Sequence, residues 1–242
     1  MILRRFTKHL TDQNWFAVGL DVLVVITGIF LGLQVTNWNE ERKNIFEEQS
    51  YLQRIQVDLD DSLQQQSLEM KRASDDLDAL QYLIQQLEAD TYKEANKALM
   101  LEGLDSTSSI FFPITNFTTI REMQSSGKLI LIRDLELRTA IGGLEVSFDL
   151  AMAQTNRAYF TLPAFQPFFA HLMHYSPSSG SGRSEVWGYS MEADFDTIAN
   201  DPEMINRLTL VYAWIQFNRV NLTKHHKTTK ELRDEVARAL EL

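Results

Sequence analysis

The chain has 242 residues, 44% hydrophobic and 23% charged, with no cysteine; this is the composition of a globular domain and excludes a polytopic transporter, disulfides, thiolate metal sites and cysteine nucleophiles. The formal charge of −10 is uneven, with +1 on the first 39 residues and −11 on the rest. A body that acidic repels nucleic acid, so no nucleic-acid partner is expected.

Residues 1–15 carry Arg4, Arg5 and Lys8 and read as a short basic cytoplasmic N-terminus. From Phe16 to Val35 the chain is apolar except for Asp21, Thr27 and Gln34, with Trp15 and Trp38 at its ends. Twenty residues at about 1.5 Å each span roughly 30 Å, the thickness of a bilayer core, and the tryptophans match interfacial belts. The run ends in Gln34, Val35, Thr36, Asn37 and Trp38, which offers no small-residue cleavage site, so a retained span is expected rather than a signal peptide. Residues 16–38 are therefore assigned to a transmembrane helix that anchors the chain in membrane lipid. The basic cluster before the span places the N-terminus in the cytoplasm and the rest of the chain in the periplasm of a bacterial inner membrane.

Within the span Asp21 is costly, although its place near one end lets headgroups and water reduce the cost. At about 100° per residue Asp21, Val25, Gly28, Gly32 and Val35 share one stripe, and Gly28 and Gly32 form a G-x-x-x-G pair. The stripe predicts self-association, with Asp21, Gly28 and Gly32 at the contact and Trp15 and Trp38 as interfacial anchors. A lone helix with a snorkelling acid is the plainer alternative.

Residues 39–102 contain no Pro or Gly and read as one long membrane-proximal helix continuing from the span. Its apolar seam runs through Ile45, Leu52, Ile55 and Leu59, then shifts by four to Leu63, Met70, Ala73, Leu77, Leu80, Ile84 and Leu87, a stutter in a heptad pattern. Such a seam packs against a neighbouring chain or against later helices of its own chain. In 103–118, Gly103, a Ser/Thr cluster and Pro113 mark a connecting loop. Thr118 or Thr119 with Glu122 predicts a cap for a short helix that Gly127 ends, and Asp134 opens another that Pro163 and Pro167 kink or end. Gly142 and Gly143 weaken that helix and would permit close approach of another. Residues 176–190 read as a flexible polar loop, and Pro202 starts a final helix. No strand alternation is visible. The predicted fold is all-α: a transmembrane helix continuing into a long helix, plus a periplasmic antiparallel helical bundle that occupies 103–242 with the membrane-proximal helix.

The run LDVLVVITGIFLGLQVTNWNEERK, closing in Asn37 to Arg42, and the later SSGKLILIRDLELR of residues 125–138, with Gly127, Leu129, Ile132, Asp134, Leu137 and Arg138, resemble a family of bacterial single-span membrane-anchored proteins of unknown function. The resemblance implies an anchored helical protein and supplies no activity. Asp21 stands where relatives carry Glu.

Chemistry is sparse. His171 and His174 stand three apart on an expected helix, a spacing that can serve one metal, but without a third ligand nearby they read as partly buried structural residues. His225 and His226, flanked by Lys224 and Lys227, read as a solvated face. The acidic pairs Asp60/Asp61 and Asp75/Asp76 read the same way. The aromatics Phe160, Phe165, Phe168, Phe169, Trp187, Tyr189, Tyr212, Trp214 and Phe217 are core or line an apolar pocket. No nucleophile elbow, phosphate loop or zinc helix motif is present, so no catalytic residue, cofactor or metal ligand is assigned. The expected function is a non-enzymatic assembly or accessory protein of the envelope, a homo-oligomer and/or a partner of an envelope protein complex. A periplasmic ligand sensor that signals through a membrane partner is the alternative, and an ion-conducting oligomer using Asp21 comes third.

Overall fold

The structure is a computed structural model that describes residues 15–161, 169, 171–177 and 189–241, with the side chains of 15–18, 158–161 and 189 outside the described set. The chain divides into two compact units, Met1–Tyr51 and Leu52–Leu242. The first helix, α1 (Trp15–Glu88), runs through both.

In the first unit α1 is exposed on every side from Gly19 to Asn44, while Glu48 and Tyr51 further along are buried. The large apolar side chains from Leu20 to Val35 are 52–64% exposed, and this stretch has a mean hydropathy of 1.9 with none of it buried. One helix near the N-terminus is thus long and apolar enough to cross a membrane. Polar side chains along it bond back to their own helix: Thr27 Oγ1 donates to Leu23 O (2.8 Å) and Thr36 Oγ1 to Gly32 O (3.1 Å), the usual way a hydroxyl is satisfied without water.

In the second unit α1 presents one continuous inner face. Leu52, Ile55, Leu59, Ser62, Gln66, Ala73, Leu77, Leu80, Leu83 and Leu87 are all buried, in three- and four-residue steps that Met70, packed at the core's edge, completes. The expected stutter is therefore not a change of phase. Ser62 and Gln66 hold two core positions, so the inner face stays in register while its chemistry turns polar for two turns.

The long helix also stops earlier than expected, at Glu88 rather than near residue 102. Asp90 takes φ 54°, which ends the helix, and Asn96 then caps α2 (Lys97–Asp105) by accepting from Ala98 N and Leu99 N. The Asn96 amide itself donates to Tyr82 Oη (3.0 Å), which ties the new helix back onto α1. Gly103, read as a break, lies inside α2 at its closest approach to α1. A Cβ there would sit 2.5 Å from Ala79 O and 2.9 Å from Leu83 Cβ, so only a residue without a side chain fits.

After a short 3-10 turn at Ser106–Ser108 and an extended stretch, α3 (Thr118–Ser125) begins at Phe117, without a side-chain cap from its threonines. Gly127 follows at φ 71°, the left-handed terminator the sequence predicts. Asp134 opens α4 (Leu135–Thr161) as expected, accepting from Glu136 N and Leu137 N. Among the described residues no atom would lie within 4 Å of a Cβ at Gly142 or Gly143, so neither makes a close helix contact there. Pro163, Pro167 and most of the 176–190 loop lie outside the described residues.

The loop's edges correct one expectation: Met173–Pro177 (β1) and Tyr189–Ala193 (β2) pair as an antiparallel ribbon, with Met173 opposite Ala193 and Tyr175 opposite Met191. Helix α5 (Phe195–Asn200), capped by Asp194, precedes the 37-residue α6 (Met204–Leu240). That final helix begins two residues after Pro202. A core of Leu80, Leu83, Met100, Leu104, Phe111, Phe169, Leu172, Ile198, Leu208 and Val211 joins α1, α2, the ribbon, α5 and α6. Truncating one of its fully buried leucines costs about 2–5 kcal/mol.

Candidate functional site

The polar chemistry of the second unit collects where Ser62 and Gln66 interrupt the apolar face of α1. Opposite them α6 is polar inside as well: Asn218, Asn221, His225 and Thr229 are all buried, again in helical three- and four-residue steps. Between these faces runs the extended segment Ile114–Asn116.

Gln66 Nε2 donates to Ile114 O (2.8 Å), with Thr229 Oγ1 (3.2 Å) and Thr115 Oγ1 (3.3 Å) also in reach. Thr229 in turn donates to the carbonyl of His225 (3.0 Å). The His225 ring holds the centre, with Nε2 2.7 Å from Thr115 Oγ1 and Nδ1 3.1 Å from Ser147 Oγ on α4. Phe148 tilts against the ring at 5.8 Å between centroids, and Phe117 stacks edge-on to Phe148 at 5.2 Å. One imidazole thus joins α4, α6 and the 114–116 segment.

A neutral imidazole has one donor and one acceptor, and a hydroxyl can supply either partner, so both nitrogens are satisfied whichever carries the proton. Burial holds the His225 pKa down at about 4, with His226 contributing further repulsion. His226 is lowered too, by burial first and by Lys230 second. The expectation of a solvated His225/His226 face is overturned: His225 is 2% exposed, and Nδ1 of His226 is buried without a partner.

A second knot lies one turn along α1. Asp58 accepts from Asn116 Nδ2 (3.1 Å) and from Thr119 N (2.9 Å). Ser62 Oγ accepts from Asn116 N (2.8 Å) while donating to Asp58 O (2.6 Å). The first amides of α3 are thus capped by Asn116, which accepts from Thr118 N (3.0 Å), and by Asp58 of α1, not by Thr118 or Thr119. Arg54 adds a two-pronged pair to Glu122, with Nη1 3.2 Å from Oε1.

These contacts commit the polar groups to packing. Ser147 lies well inside α4, where neighbouring backbone amides are consumed by helix bonds, and its contact with His225 bolts α4 to α6.

The residues singled out in the sequence fall elsewhere. Asp21, Gly28, Gly32 and Trp38 are exposed on α1, with nothing within 4 Å of a Cβ at either glycine; the side chain of Trp15 lies outside the described set. His171 sits on a turn and His174 on β1, both exposed, not partly buried on one helix. Among the described residues no group of three or more His, Asp or Glu could hold a metal. Of the aromatics, Phe169 is core. Trp214 and Phe217 pack edge to face at 6.2 Å and, with Arg157, Leu210 and Ala213, line an open groove of about 260 Å³. Phe165, Phe168 and Trp187 lie outside the described residues.

A model described as a family of unknown function (DUF6090) matches residues 21–159, more than half of the chain. The chain belongs to this family. The DUF6090 match opens at Asp21 and takes in the Asn37–Arg42 motif, Asp58, Gln66, Thr115 and Ser147, and it ends before the α6 residues His225 and Thr229. No curated protein and no solved structure matches the chain.

Proposed function

We propose that this chain is a non-enzymatic assembly or accessory protein anchored by a single span in a bacterial inner membrane. Its N-terminus is cytoplasmic and its helical domain is periplasmic, an antiparallel bundle in which α6 runs back along α1. The observation that carries the reading is the apolar stretch of α1, exposed on every side in a helix that continues without a break to Glu88. Apolar surface of that length is stable only in lipid or against other spans. Further support comes from Asp58, Gln66, Ser147 and His225, whose hydrogen bonds hold helices together. Self-association through Asp21, Gly28 and Gly32 fits the open backbone at both glycines, because close approach and polar contacts, not hydrophobicity, favour pairing in lipid.

The test is oligomer size of the full chain in mild detergent and crosslinking in native membranes. Gly28→Ile with Gly32→Ile should shift the span contact toward monomer, and Asp21→Asn, which keeps hydrogen bonding, should not. A monomeric wild type, or an unchanged oligomer in the double variant, defeats the span contact. A periplasm-active reporter fused after Leu242 should be active; activity of a cytoplasmic reporter alone reverses the topology.

The groove beside Trp214 favours a second reading, a periplasmic sensor of a small apolar ligand that signals through a membrane partner. Saturable quenching of tryptophan fluorescence by such a ligand, lost in Trp214→Leu, would support it over the first.

A further inference from the structure

Helices α4 and α6 pack along each other, with Ser147 at the level of His225 and Arg157 beside Trp214, so residue numbers rise along one as they fall along the other. The face they turn outward is apolar where a solvated helix is normally charged. On α4, Val146 and Leu150 are 70% and 61% exposed, and on α6 Phe217 and Val220 are 46% and 41% exposed. Val146, Leu150 and Ala153 recur at helical spacing on one stripe, as do Phe217, Val220 and Lys224 on the other. Arg157, one turn beyond Ala153, lines a common groove with Phe217, so the two stripes open on the same side.

We infer that this face is the seat of a second copy of the chain, with α4 of each copy lying over α6 of the other. Charge selects that occupant: exposed Asp149 borders the α4 stripe and exposed Lys224 ends the α6 stripe. A two-fold axis running along the helices leaves the level of every residue unchanged. Residues that face each other across α4 and α6 within one chain then face each other between chains, and Asp149 of each copy comes level with Lys224 of the other. An anionic lipid surface would instead be repelled by Asp149. This contact goes beyond the span reading and does not use Asp21, Gly28 or Gly32.

The absence of cysteine makes the test clean. Full-length Leu150→Cys and Val220→Cys chains, tagged to differ in size, are mixed in mild detergent and oxidised, both in the Gly28→Ile/Gly32→Ile background so that the span contact is removed. The expected result is a mixed cross-linked dimer several-fold more abundant than either self-cross-link. Val146→Glu should abolish it, Lys224→Glu should weaken it, and Asp149→Lys together with Lys224→Glu should restore it. Circular dichroism confirms that each variant is folded. Absence of the mixed dimer in this background, a Leu150→Cys self-cross-link of equal yield, or indifference to Val146→Glu overturns the proposal. Failure of the span contact alone leaves this readout intact.

Discussion

Because His225 bolts three segments while neutral, acid should loosen the second unit through this one ring. Its pKa lies at about 4 in the fold against 6.5 for an unperturbed histidine. Between those values the unfolded chain binds a proton that the folded chain excludes, so stability is fully present above about pH 6.5 and is lost as pH falls toward about 4. The whole window is worth at most about 3 kcal/mol, and the step from about pH 7 to about pH 5 alone removes about 2 kcal/mol. The perturbation that isolates this ring is His225→Gln, which keeps a polar side chain near Thr115 and Ser147 and does not titrate. The variant should be less stable than wild type by about 1–3 kcal/mol near neutral pH, through weakened hydrogen bonds, and the gap should close by about 2 kcal/mol at pH 5. His226 and the neighbouring Lys230 are present in both chains, so their own titration largely cancels in the difference. The assay is urea unfolding of the full chain in mild detergent, followed by circular dichroism at several pH values. A gap between wild type and variant that does not change from pH 7 to pH 5 refutes the reasoning.

Two further outcomes test the packing. Gly103→Ala should destabilise the second unit by about 1–3 kcal/mol, because its Cβ meets Ala79 O at 2.5 Å; Gly142→Ala, with open space around it, should stabilise by about 0.5–1 kcal/mol, and the same urea titrations should show the opposite signs. Asp58→Ala should cost about 1–3 kcal/mol by uncapping α3 and releasing Asn116, and amide exchange at Thr119 should quicken more than at residues of α2.

What could be read from the sequence was whatever depends on neighbours along the chain. Length and hydropathy alone mark the exposed apolar stretch of α1. Asp134 caps α4 and Gly127 closes the turn after α3 because a carboxylate two or three residues before free amides, and a residue without Cβ at positive φ, act locally. The helical character of the chain follows from the same short-range periodicity. Tertiary structure decided the rest, where partners lie far apart in sequence. The shift of the seam at Leu63 was the one trace of the polar layer, and it read as a stutter because Ser62 and Gln66 count as surface until Thr115 and Thr229 are seen across from them. Gly103 looked like a break because only the Ala79 carbonyl explains its lack of a side chain. His225 looked solvated beside two lysines, since its hydroxyl partners stand 110 and 78 residues away. A hydrogen bond at that separation leaves no periodic signal, and burial, which sets the histidine's charge, is a property of the assembled helices alone.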